Sequence, residues 1–188
     1  MWDSTSSVLG HCVLTPGNIP DQKYIDQVLA LAQKGALFIF ALGYCTIQAL
    51  ARLALAGAYF LTRLNPQAHL FTLGASGMHH VERTQMLQGV EGNLIEKDIF
   101  IGAKERVPTR LVAVRMPEPI VNERRRVAQK KAKKKGYKPS TAPLNLLAWN
   151  LLISNVPSMI WKTTTVVQGY PIRWQSELIF KSWKSYRH

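Results

Sequence analysis

Apolar residues follow two periods along the first third of the chain, and together they predict an alternation of strands and helices. Val8 to Leu14 is a run rich in β-branched residues that stops at Thr15-Pro16-Gly17-Asn18, a strand followed by a turn. Ile25, Val28, Leu29 and Leu31-Ala32 then recur at helical spacing between Pro20 and Lys34-Gly35, which predicts an amphipathic helix over 20–34. Leu37 to Leu42 is short and continuously apolar, as a strand buried on both faces would be. Thr46 to Ala56 predicts a helix capped by Thr46 and stopped by Gly57, and Ala58 to Leu64 predicts another strand. Strands alternating with helices over short connections imply an α/β fold with a parallel or mixed sheet covered by helices.

The pattern changes after Asn65-Pro66. As far as Pro143, strand-like runs (Leu94 to Ile101, Arg110 to Met116) are separated by turns bearing Gly and Pro, and a basic stretch follows as a partly exposed helix and loop. Leu146 to Val156 predicts a last buried strand, and Trp161 to His188 a closing helix with its first strong turn near Tyr170-Pro171. The expected organisation is therefore an α/β part over 1–64, a β-rich inserted subdomain over 65–145 with its basic segment at 122–138, and a return strand and helix over 146–188.

Charge sharpens this picture. The 188 residues carry a formal net charge of +13 at 47% hydrophobic content, a globular composition that points to a polyanionic partner, nucleic acid ahead of a membrane surface. Nine of the basic residues (Arg124, Arg125, Arg126, Lys130, Lys131, Lys133, Lys134, Lys135 and Lys138) lie between Asn122 and Lys138 against the single acid Glu123. Such a run can be plain solvated charge, but unpaired like charges repel, and a phosphate backbone would neutralise them. Cys12 and Cys45 form no metal-binding or disulfide pattern, so a reducing compartment is expected. The apolar stretch Gly35 to Leu61 is interrupted by Gln48 and Arg52, and the first residues lack a basic segment before an apolar one, so neither a membrane helix nor secretion is expected. His69 and His79-His80 read as loop histidines, and Trp149, Trp161 and Trp174 as core residues.

The most informative spacing lies near the end. Tyr170, Arg173, Glu177 and Lys184 are offset by three, four and seven residues, which places them along one face of a helix. The plain alternative is a surface helix with an ordinary Arg173/Glu177 pair. However, the spacing Tyr-(2)-Arg-(3)-Glu-(6)-Lys resembles the signature of the bacterial insertion-sequence transposases of the "IS-four" group. The surrounding RWQSELIFKSWKS, the upstream WNLLISNVP and the run ERVPTRLVAVRMPEPIVNERRR are also similar to that family, as is FIFALGYC followed by GAYFLTRL. The resemblance covers nearly the whole chain.

The resemblance implies a ribonuclease-H-like core, a mixed sheet with helices on both faces, interrupted by a β-rich insertion. It implies phosphodiester cleavage and strand transfer at transposon ends, with two divalent metals, magnesium or manganese, held by two aspartates and a glutamate. Glu177 matches the glutamate and is the expected catalytic and metal-binding residue. Tyr170, Arg173 and Lys184 would contact DNA phosphates, with Arg124, Arg125, Arg126, Lys130 and Lys131 adding backbone contacts. The departures matter equally. Where the family has its second aspartate, two residues before Gly43-Tyr44, this chain has Ala41. The strand bearing the first aspartate would precede the chain's start; Asp3, in Asp3-Ser4-Thr5, superficially resembles that motif. The expectation is a truncated, catalytically defective transposase that binds no metal, acts on DNA in the bacterial cytoplasm at the nucleoid, and has a transposase dimer as a possible assembly. The alternatives are a non-catalytic DNA-binding remnant that interferes with an intact transposase, and a basic RNA-associated protein, which the Tyr-Arg-Glu-Lys spacing does not favour.

Overall fold

A computed structural model describes residues 2–3, 8–9, 21–42, 46–174, 178 and 182. Strand β1 (Trp2–Asp3) pairs antiparallel with β2 (Val8–Leu9). The remainder of the strand expected to run to Leu14, and the turn after it, lie outside the described residues. A 3-10 turn (Asp21–Tyr24) leads into α1 (Ile25–Leu29), which is shorter than the expected helix. It ends because the chain tightens: the Leu31 and Ala32 amides donate to carbonyls only three residues back, at 3.1 and 3.0 Å.

The unit that follows is a strand, a crossover helix and a parallel strand. Strand β3 (Leu37–Ile39) pairs parallel with β4 (Tyr59–Arg63), Phe38 opposite Phe60 and Ile39 opposite Leu61. Between them α2 (Ile47–Leu55) has the expected ends. Thr46 Oγ1 accepts the Ala49 amide at 3.2 Å, and Gly57 takes φ +69°, a left-handed conformation that costs a side chain but not glycine. Ala49, Leu50 and Leu53 form the buried stripe of α2, while Leu55 is exposed.

The next elements are strand-rich. Strand β5 (Leu70–Gly74) and β6 (Gly77–Val81) form a hairpin, and the short helix α3 (Arg83–Met86) follows. Strand β7 (Leu94–Ile101) pairs antiparallel with β8 (Val107–Arg115) over its whole length. Helix α4 (Glu118–Lys134), the short α5 (Thr141–Leu146) and β9 (Trp149–Ser154), antiparallel to β8, complete this part. In β8 the residues Thr109 to Ala113 are all buried, the pattern of a strand covered on both faces. Arg110 tolerates that position because its Nε donates to Glu96 Oε1 at 2.6 Å on the neighbouring strand.

The strands β3-β4-β9-β8-β7-β5-β6 belong in that order to one seven-stranded sheet of mixed direction, so the fold is mixed α/β. Contacts divide the chain into two compact units, Met1–Thr62 with Val156–His188, and Arg63–Asn155. In the first unit, α6 (Thr163–Gly169) passes directly into a 3-10 turn (Tyr170–Ile172). The closing helix therefore changes its winding at Tyr170-Pro171, where proline lacks an amide and is accommodated at the start of a turn.

Candidate nucleic-acid interface

The first unit builds the neighbourhood of Ala41. The Phe38 and Phe40 rings stack at 5.9 Å on one side of β3, and the Phe40 amide donates to the Leu61 carbonyl at 3.0 Å. Ala41 is the next residue, part-exposed just beyond the end of the strand. Leu61 is also approached from the other end of the chain. A Cβ at Gly169 would lie 3.7 Å from Leu61 Cδ2, and 2.9 Å from the Trp161 ring, so α6 can pack this closely only with glycine there. Ala41 and Tyr170 are thus each the residue after a direct neighbour of Leu61.

Tyr170 is only 5% exposed. Its ring, expected to contact DNA, is a core element here. Arg173 is part-buried, its guanidinium 5.7 Å from the Tyr170 ring and 4.8 Å from that of Trp174. Trp174 is 48% exposed, so it is not the core residue its apolar context predicts. Glu177 and Lys184, with Gly43, Tyr44, Cys12 and Cys45, lie outside the described residues. Asp3 stands in β1 opposite Val8.

Two hard divalent cations need several oxygen donors converging on one point. Ala41 offers a methyl group, and among the described residues no three His, Cys, Asp or Glu side chains are grouped to hold a metal ion. The donors at the described positions do not fit a two-metal centre.

Helix α4 positions the basic segment in the second unit. Val121, Arg125, Ala128 and Ala132 recur at intervals of four, three and four, and this stripe is the buried or part-buried face. Arg124 flanks it. Its Nη1 donates to the carbonyls of Leu147 and Trp149 at 3.3 and 3.4 Å, satisfying backbone at the end of α5 and the start of β9. Burial, assisted by the charge of Arg63, pushes its pKa below the ordinary arginine value. Arg125 Nε is buried as well. Helical periodicity turns both Arg124 and Arg125, expected as DNA-backbone contacts, partly toward the protein. Arg126 is exposed but forms a two-bond pair with Glu123, at 2.7 and 2.8 Å. That pair holds the Glu123 carboxyl below its usual range.

The solvated cations are Lys130, Lys131, Lys133, Lys134, Lys135 and Lys138. Those in the last turn of α4 also complement the helix dipole. Replacing Arg124 with alanine should cost about 1.5 kcal/mol of stability, the low end for hydrogen bonds to a charged group because the guanidinium is only part-buried. It should leave the salt dependence of DNA binding unchanged, whereas Lys130→Gln should flatten that dependence by about 0.9 in log K against log salt. Denaturation and salt titration of the two variants check this.

The histidines occupy a strand as well as a loop. His79 and His80 lie in β6, with His79 Nε2 2.9 Å from Ser76 Oγ, and the His80 ring is 5.7 Å from that of His69. Among the described residues, no helix is long and apolar enough to cross a membrane.

Residues 1–188 match the family defined by the transposase DDE domain. The transposase for insertion sequence element IS231B of Bacillus thuringiensis subsp. berliner is 30% identical over 90% of this chain and 39% of its own length. The corresponding proteins of IS231D, from B. thuringiensis subsp. finitimus, and of IS1151, from Clostridium perfringens, are each 28% identical over 90% and 88% of this chain. The chain spans about two fifths of the length of these curated relatives. No solved structure is significantly similar to it. With the match running from the first residue to the last, the chain belongs to the transposase DDE domain family.

Proposed function

We infer that this chain is a DNA-handling part of an insertion-sequence transposase whose catalytic centre is disabled at its second carboxylate position. In this reading 1–64 and 146–188 form a ribonuclease-H-like core and 65–145 is its β-rich insertion. Ala41 is the observation that carries the proposal. It stands just beyond the end of a strand in a parallel pair, where a metal-binding aspartate would project, and it has no side-chain oxygen. The approach of the residues before Ala41 and Tyr170 to the same Leu61 supports the pairing of this strand end with the segment that begins at Tyr170. Glu177, matched to the family's glutamate by sequence, then lacks a partner carboxylate at position 41, and Arg173 and Lys184 would neutralise DNA phosphates by charge-assisted hydrogen bonds. The lysines of α4 hold the duplex by its backbone, without reading sequence. Acting as a DNA-binding remnant that interferes with an intact transposase is the second reading, favoured by the same Ala41.

Supercoiled plasmid incubated with the chain in magnesium or manganese should be retarded on a gel but not nicked. Nicking that disappears in Glu177→Ala would contradict the proposal.

A further inference from the structure

The turn that ends α4 builds a second feature from the same basic segment. Gly136 adopts φ +74°. Its amide donates to the Lys133 carbonyl at 3.1 Å, and the Tyr137 amide donates to the Ala132 carbonyl at 3.1 Å. These two bonds make a Schellman termination, in which a left-handed glycine reverses the chain and pins the residue after it. The pinned residue is Tyr137, 56% exposed. Tyr137 lines a groove of about 570 Å³ together with Gln129, Lys133, Lys138, Pro139 and Leu144.

The volume is within the usual range for small-ligand sites. Its lining combines an exposed tyrosine, the apolar side chains of Pro139 and Leu144, and the ammonium groups of Lys133 and Lys138. Such a combination suits a nucleotide, the base stacking on the ring and the flanking phosphates meeting the cations. A base paired inside a duplex already has both faces covered and cannot reach the ring. Lys130, Lys131 and Lys134, by contrast, meet phosphates of either form.

We propose that the groove at Tyr137 takes an unpaired nucleotide, so that this chain binds single-stranded DNA through stacking in addition to charge. The proposal rests on the DNA-binding reading given above and names the form of substrate that this surface selects. Binding is measured by fluorescence anisotropy with a short oligothymidylate, an abasic strand of the same length and a duplex of the same length. The oligothymidylate is expected to bind more tightly than the abasic strand. Tyr137→Ala should weaken oligothymidylate binding by about 5- to 150-fold, the range for loss of one stacked base. Tyr137→Phe should retain it, and duplex binding should be the same in all three proteins, which also shows that they are folded. Equal affinity for the thymidylate and abasic strands, or Tyr137→Ala binding like the unaltered chain, would overturn the stacking site while the duplex reading stands. Failure to bind any of the three DNAs would overturn both.

Discussion

Replacing Lys130, Lys131, Lys134 and Lys135 together with glutamine is expected to remove most of the chain's affinity for duplex DNA at low salt. Each phosphate contact releases counterions and contributes about −0.9 to the slope of log K against log salt, so four contacts account for a slope change of up to about 3.6. A fourfold rise in salt should then cost the unaltered chain about 150-fold more affinity than it costs the variant. The variant should fold normally. All four lysines are exposed, and Lys130 and Lys134 are like charges one helical turn apart, so their neutralisation relieves repulsion worth a few tenths of a kcal/mol. Anisotropy titrations over a salt series, with a thermal melt as the folding control, check both parts. An unchanged slope would mean that the lysines are solvated charge and nothing more.

The second large effect is on stability. Phe60 is 0% exposed in β4 and lies opposite Phe38 of β3 in the parallel register. Phe60→Ala should destabilise the chain by about 3 to 5 kcal/mol, the transfer free energy of the ring plus the cavity left by incomplete collapse. That is a large share of the roughly 5 to 15 kcal/mol typical of a whole domain. Leu55, 87% exposed at the end of α2, is the internal control; Leu55→Ser should change stability by less than about 0.5 kcal/mol. Urea unfolding gives both values. A loss near that of the control would mean that β3 and β4 do not pack as described, and the position of Ala41 would lose its support.

Helix α2 was legible in the sequence because its ends are local chemistry: a threonine that caps and a glycine that turns. Strands β7 and β8 were legible for a similar reason, since two apolar runs lie on either side of a turn. The β5-β6 hairpin was harder to see, although Gly74-Ala75-Ser76-Gly77 is a two-residue loop flanked by glycines, because His79 and His80 made the second strand look like a loop. Helix α5 was hidden by Pro143, which signals a break in general but is tolerated in a first turn. For the site, Ala41 and the Tyr170-to-Lys184 spacing were visible as residues in order. What spacing could not give was burial. The arginines at 124 to 126 share one charge and one run of sequence, yet the 3.6-residue period sends 124 and 125 inward and 126 outward. Tyr170 sits in the core for a reason equally absent from its motif, the close approach of α6 that Gly169 permits.

Whether Ala41 and Glu177 share one catalytic cleft is the claim on which the functional account turns. Manganese binding followed by electron paramagnetic resonance tests it most directly, comparing the chain with Ala41→Asp and with Ala41→Asp combined with Glu177→Gln. Two carboxylates can ligate a common hard cation only if their oxygens come within about 2.0 to 2.6 Å of it. The account predicts that Ala41→Asp binds manganese more tightly than the unaltered chain and that Glu177→Gln abolishes the gain. No gain, or a gain that survives Glu177→Gln, would contradict it.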